Sequence, residues 1–308
     1  MKRRQRKALL MFDIRRTAEY ICSTSPELRG LQTTVQKELL HYEVLAAMSK
    51  HGYLNKLTFQ GGTCLRMMYQ SNRMSEDLDF AGGEDFDFDQ LSELKALLLT
   101  ELRASHDLEI HIHEPDLTKL NQNNPVAVGR WKISIQTEPQ KTHLPWQRVR
   151  LDVANVKAHT RNLRPLNKTY PEVPDAYTNT LVYCESLEEI CADKVVALAL
   201  RRRIKARDLW DLTWLNQNRI RANARLVEQK FRDYQRSDGL NALKSRLLEV
   251  PTYLQSGAFE NEMSRFVHSA TAATTLEREG FTNYVQDTVV SMVSQVVQEL
   301  IGGLPFRL

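Results

Sequence analysis

The sequence has little of what would place it outside a reducing, aqueous compartment. Of its 308 residues only four are cysteine, Cys22, Cys64, Cys184 and Cys191, and none shares a CxxC spacing with another. A disulfide framework and a zinc ribbon are thereby excluded, and reduced thiols in a cytoplasmic protein are expected. Long apolar runs are missing as well. The stretch from Ala8 to Phe12 is too short for a secretory signal. Nothing approaches the roughly 20 apolar residues of a membrane helix, so no membrane partner is expected. Glycine and proline number only 12 and 10, with no low-complexity tract and no internal repeat. Net charge is a mere +4.

What is present suits a soluble globular chain. Hydrophobic residues make up 42% and charged residues 26%, enough for a full core in one large domain or two ordinary ones. The small net charge hides an uneven distribution. Residues 1–16 hold seven basic side chains against Asp13, and residues 139–170 hold seven against Asp152, whereas Glu76 to Glu93 is acidic. Basic patches beside an acidic centre fit an enzyme with a polyanionic substrate and a cation-holding site. For residues 1–7 alone, a flexible basic end is the better reading.

The stretch Thr58–Phe80, TFQGGTCLRMMYQSNRMSEDLDF, organises the rest. Leu57 to Phe59 reads as a strand and Thr63 to Tyr69 as the start of a helix. Gly61 and Gly62 between them let a backbone approach a ligand, and the helix aims free N–H groups at an anion. Asp77 and Asp79, at i and i+2 in an extended segment, share a face, while Leu78 and Phe80 turn to the core. Two like charges on one face call for a cation, and hard oxygen donors favour Mg²⁺. A phosphate cradle beside a metal-binding acid pair describes a nucleoside-triphosphate site. The alternative is a glycine turn and a solvated strand end.

Gly-Gly-Thr-x-Leu-Arg, followed by Arg73 and Ser75-Glu76-Asp77-Leu78-Asp79-Phe80, resembles the signature of the AbiEii/AbiGii nucleotidyltransferase toxins. That group includes the mycobacterial MenT toxins and lies within the polymerase-β-like nucleotidyltransferases. The resemblance is densest between Phe59 and Phe80. It implies metal-dependent transfer of NMP from an NTP to the 3′ end of tRNA, blocking translation. It also implies a type IV toxin–antitoxin or phage-defence role with a separate cognate antitoxin protein.

Along the chain, Arg29 to Gly52 reads as a long amphipathic helix. Asp85, Asp87 and Asp89 alternate as metal ligands would, but Asp87 or Asp89 is better placed to cap a helix over Gln90 to Leu102. Asp107 to His113 alternates as a half-buried strand whose His111 and His113 lack a third ligand. Arg130 to Gln136 and Val149 to Val153 are further strands. Asp152, amid apolar neighbours, is the natural third carboxylate; a salt bridge to Arg148 or Arg150 is the rival reading. Residues 160–180, with Pro165, Pro171 and Pro174, read as a linker. Ser186 and Glu189 form a capping box for a helix reaching Arg203. Lys194 sits on that helix's apolar stripe, where an unpaired ammonium is costly. With the resemblance, it reads as a triphosphate ligand. Asp208, in Arg207-Asp208-Leu209-Trp210-Asp211-Leu212, either orients Arg207 or Lys194, contacts nucleotide, or fixes the helix by a buried salt bridge. Basic helices follow from Arg219, and a final amphipathic helix spans Gln286 to Ile301.

The expectation is an α/β (α+β) fold: a nucleotidyltransferase-type mixed sheet with flanking helices in residues 1–175 and a helical region in 176–308 that contributes Lys194 and Asp208. Asp77, Asp79 and Asp152 would hold two Mg²⁺ ions, with Mn²⁺ as the alternative. Gly61, Gly62, Thr63, Arg66, Arg73, Ser75, Lys194 and Arg207 would hold the NTP. The rivals are nucleotidylation of a protein hydroxyl and a non-catalytic nucleic-acid-binding protein.

Overall fold

Alternation of apolar and polar residues builds the sheet that carries the acids. A computed structural model describes residues 13–105, 108–120, 126–137 and 146–303. The basic arm before Asp13, Asp107 and Lys141 lie outside them. Seven strands are present among the described residues: β1 (Thr58–Gln60), β2 (Asp77–Ala81), β3 (Ile110–His113), β4 (Val128–Ile135), β5 (Gln147–Ala154), β6 (Asn162–Pro165) and β7 (Leu181–Cys184). They form one mixed sheet in the order β3-β4-β5-β2-β1-β7-β6. β2 runs antiparallel to β1 and parallel to β5, and β4 is antiparallel to both β3 and β5.

One face of this sheet is core. Trp131, Ile133, Val149, Leu151, Leu78 and Phe80 are buried there. Helix α1 (Ile14–Thr24), capped by Asp13, packs on α2 (Gln32–Lys50), and α2 packs on β5 and on α4 (Leu94–Ser105). α3 (Gly61–Tyr69) follows β1 directly and packs on β2.

The expected amphipathic helix before Gly52 is instead buried nearly all round, because its polar residues find partners. Glu38 receives Arg66 Nε at 3.1 Å and the Tyr170 hydroxyl at 2.6 Å. His41 donates from Nε2 to the Glu76 carbonyl, 3.1 Å away; burial holds its pKa below the ordinary value, so the ring is neutral. Asp87 does cap a helical turn, but a 3-10 turn at Phe88–Leu91 that precedes α4. The proline-rich 160–180 segment is not only linker. β6 forms the sheet edge there, where Pro165 removes no ladder bond from a neighbour.

By internal contacts the chain divides into two compact units. The first holds the chain up to Gln70, Met74–Asn155 and Leu163–Cys184; the second holds Ser71–Arg73, Val156–Asn162 and everything from Glu185 on. Residue 175, the expected boundary, falls inside the first unit. The second unit is helical: α5 (Leu187–Leu200), α6 (Ala206–Gln217), α7 (Ala224–Asp233), α8 (Gly239–Gln255), α9 (Ala258–Met263), α10 (Ser269–Thr274) and α11 (Phe281–Ile301). α5 is its centre, packing on α6, α7 and α8.

Only half of the expected capping box forms at α5. Ser186 accepts from Glu189 N, but the Glu189 carboxylate turns to the backbone N–H groups of His159 and Thr160. The Ser186 N–H is met by the Thr160 hydroxyl instead, at 2.8 Å.

Candidate active site

Strand register gathers the acids of the first unit. Asp79 lies opposite Asp152 on the parallel strand β5, opposite Gln60 on β1, and Asp152 lies opposite Arg130 on β4. The next row on the same face is Lys132, Arg150 and Asp77. Asp77, Asp79 and Asp152 therefore share the face that turns away from the core.

Two arginines meet two of these acids. Arg130 makes a bidentate contact to Asp152, with Nη2–Oδ2 at 2.7 Å and Nε–Oδ1 at 2.9 Å. Arg150 bonds both oxygens of Asp77, with Nε–Oδ1 at 3.0 Å. The partner of Asp152 is thus Arg130, not Arg148 or Arg150. Both guanidiniums are close to half exposed, at 47% and 44% of the side chain. Among the described residues no three Asp, Glu, His or Cys side chains already form a metal cluster. His111 and His113 do not either; His111 pairs with Glu109.

The donor set nonetheless fits a hard divalent cation. Its members are all carboxylates, two are in register on strands roughly 4.8 Å apart, and cationic side chains already lie against them.

The glycine turn is built against the same acids. Gly61 has φ +78°, a left-handed conformation. A methyl group there would stand 2.8 Å from Asp79 Oδ2. No side chain caps α3, so its first N–H groups have no side-chain acceptor at the N-cap. The hydroxyl of Thr63 is buried; it donates to the Asp77 carbonyl and lies 2.8 Å from Ser75 Oγ. Thr63 and Ser75 thus tie the turn to the acid strand. Arg66 pairs with Glu38, and the same carboxylate accepts from Ser75 N.

In the second unit the expected residues form a buried ion network. Lys194 Nζ lies 3.0 Å from Asp208 Oδ1 and 2.7 Å from Asp211 Oδ2. Arg73 meets Asp211 through two bonds of 2.6 Å, and Arg201 meets Asp208 at 2.6 Å. Asp208 therefore orients Lys194 and not Arg207. Arg207 stacks over Phe266, 4.7 Å from the ring centre, and faces Glu262. Replacing Lys194 by methionine leaves each aspartate an arginine, so the expected cost is about 1–3 kcal/mol, the worth of charged hydrogen bonds. A thermal melt checks it, and an unchanged Tm would contradict the pairing. The KM for NTP of the same variant tells whether the ammonium also meets triphosphate.

Burial would raise the pKa of Asp211, but Arg73 first and Lys194 next hold it down at about 2. A depressed carboxylate stabilises the fold fully above its unfolded value near 3.8 and loses that contribution as pH falls through about 2. Acid titration followed by circular dichroism should show about 2 kcal/mol of stability from this group lost between pH ~4 and ~2.

Half of the basic helical run from Arg219 is spent on the protein itself. Lys230 is 2% exposed and contacts Glu185, Glu189 and Asp193 at 3.1, 2.7 and 2.7 Å. Arg232, Arg236 and Arg246 pair with Glu228, Asp238 and Glu249. Sequence reasoning missed the Lys230 centre and Arg130 as the partner of Asp152, and it offered Arg150 to Asp152 where the structure pairs it with Asp77. The available signal was the four-residue spacing of Glu185, Glu189 and Asp193, the last two on α5 and Glu185 just before its cap.

With this geometry in view, likenesses to known proteins are specific. The sequence profile described as "Nucleotidyl transferase AbiEii toxin, Type IV TA system" matches residues 43–286. No curated protein matches the chain in sequence. Among solved structures, MenT4, a nucleotidyltransferase toxin from Mycobacterium tuberculosis H37Rv, superposes with a TM-score of 0.51 at 16% identity, covering 91% of this chain and 89% of its own. JHP933 from Helicobacter pylori aligns with a TM-score of 0.45 at 18% identity, over 87% of this chain and 94% of its own. The MenT4 likeness carries the fold: a mixed sheet with flanking helices, as expected.

Proposed function

The chain belongs to the AbiEii nucleotidyltransferase toxins of type IV toxin–antitoxin systems, and from that premise we propose that it transfers a nucleoside monophosphate from an NTP to an RNA acceptor, the 3′ end of tRNA. The observation that carries the reading is the in-register pair Asp79 and Asp152, with Asp77 on the same face and the N-terminus of α3 closed against Asp79.

In this reading Asp77, Asp79 and Asp152 hold two Mg²⁺ ions, with Mn²⁺ as the alternative. When bound, the ions supply Lewis-acid activation of the acceptor hydroxyl and neutralise the leaving pyrophosphate. The N–H groups of Gly61, Gly62 and Thr63 hold the triphosphate at the positive end of α3. A 3′-hydroxyl oxygen bonds to the α-phosphorus, the bond from that phosphorus to the β-phosphate oxygen breaks, and the acceptor's proton passes to Asp152. Arg130 and Arg150 yield their carboxylates on loading and remain as counter-charges at the rim.

Transfer to tRNA would stop translation, and a separate antitoxin would relieve it, as suits phage defence. Reduced thiols agree with the cytoplasm; the four cysteines are free, and no described helix is long and apolar enough to cross a membrane. The test is incubation with each of the four labelled NTPs, bulk tRNA and total protein. Label in tRNA is expected. Label confined to a protein band would transfer the proposal to a protein hydroxyl.

A further inference from the structure

The solvent-facing side of β3, β4 and β5 extends the acid rows away from the carboxylates, and its composition is not that of an ordinary surface. Register places His113, Lys132 and Arg150 in one row and His111, Ser134 and Arg148 in the next. Arg150 is engaged by Asp77. Lys132 and Arg148 are exposed, and among the described residues neither makes an ion pair. At the far end the ring of Trp146 lies against His111, with centroids 4.9 Å apart. No acid of β4 or β5 other than Asp152 interrupts this face.

We propose that this face is the track along which the single-stranded RNA end reaches the carboxylates. The inference rests on the RNA reading above and adds where the acceptor lies. Six residue steps lead from Trp146, just before β5, to Asp152 within it, roughly 20 Å at ~3.3 Å per residue, room for a few terminal nucleotides. Lys132 and Arg148 lie between those points and meet phosphates. The Trp146–His111 pair offers a π-face, which any unstacked base can use. A duplex hides its bases and would leave that pair idle. An acidic protein would use the cations but not the rings. Both features together favour single-stranded RNA.

The test compares the full chain with Lys132→Glu/Arg148→Glu, with the milder Lys132→Gln/Arg148→Gln, and with Trp146→Ala, using bulk tRNA and the preferred NTP. The charge-reversed protein should raise the KM for tRNA at least about tenfold and flatten its salt dependence by one to two logarithmic units, since each phosphate contact contributes ~0.7 to the slope. The glutamine pair should act in the same direction. Trp146→Ala should raise that KM about tenfold, the worth of one stacked base, and leave the salt slope alone. The KM for NTP should stay within about twofold throughout, because these side chains lie off the carboxylates. If the wild type labels tRNA while the variants keep its KM and slope, the track is wrong and the RNA reading survives. If the wild type labels only protein, the RNA reading itself has failed.

Discussion

Asp79→Asn should lower nucleotidyl transfer by at least about 10³-fold and leave the thermal melt within a few degrees of wild type. Asparagine keeps the shape and removes only the charge. Asp79 stands between Gly61 and Asp152, so it is the one carboxylate that touches both the turn and the acid row. The charge lost there cannot be supplied by Asp77 or Asp152, whose own charges the proposed site already uses on the same ions. The measurement is turnover with labelled NTP and tRNA at saturating Mg²⁺, beside calorimetry of the same protein. Turnover near that of wild type would sink the site assignment.

The largest effect on stability is expected at Lys230. Lys230→Met should cost about 3–5 kcal/mol, the usual result of stripping one partner from a buried charge cluster. The contrast with Lys194 decides the magnitude. There each carboxylate keeps an arginine; here the single ammonium serves three acids. Burial first and the neighbouring Asp193 next push the Glu185 carboxyl well up, while Lys230 itself is held charged by Asp193, Glu185 and Glu189 against burial. Methionine would leave Glu189 and Asp193 facing each other without a cation. Adding Glu189→Gln should recover part of the loss. Chemical denaturation reads both, and a single variant within about 1 kcal/mol of wild type would mean that the cluster is hydrated and not a buried support.

What could be read from the residues alone follows the range of the physics. The face shared by Asp77 and Asp79 is a property of an extended backbone, and it was legible. So was the oddity of Lys194 on an apolar stripe, and the helix that carries Asp208 and Asp211 at helical spacing. Their counter-charges were not. Arg130 meets Asp152 only because β4 and β5 pair in one register, and Arg150 meets Asp77 only because β5 pairs with β2 across more than seventy residues of chain. Arg73 and Asp211 are 138 positions apart. Local pattern carries no record of such pairings. The same limit explains α2, whose Glu38 and His41 look solvated until Arg66, Tyr170 and the Glu76 carbonyl arrive from elsewhere. It explains β6 too, since prolines mark a break in local structure but do not forbid an edge strand.

The close approach at Gly61 makes one hydrogen atom a determinant of toxicity. Exchanging it for a methyl group strains a left-handed backbone by roughly 1–2 kcal/mol and drives Asp79 Oδ2 out of its place. Every charged group of the molecule would remain, and so would the rest of its surface. The gene thus carries a position where the mildest substitution available, glycine to alanine, can disarm the product without disguising it. A cell could tolerate such an allele in the absence of its antidote, and its protein would still compete with the active form for whatever both recognise.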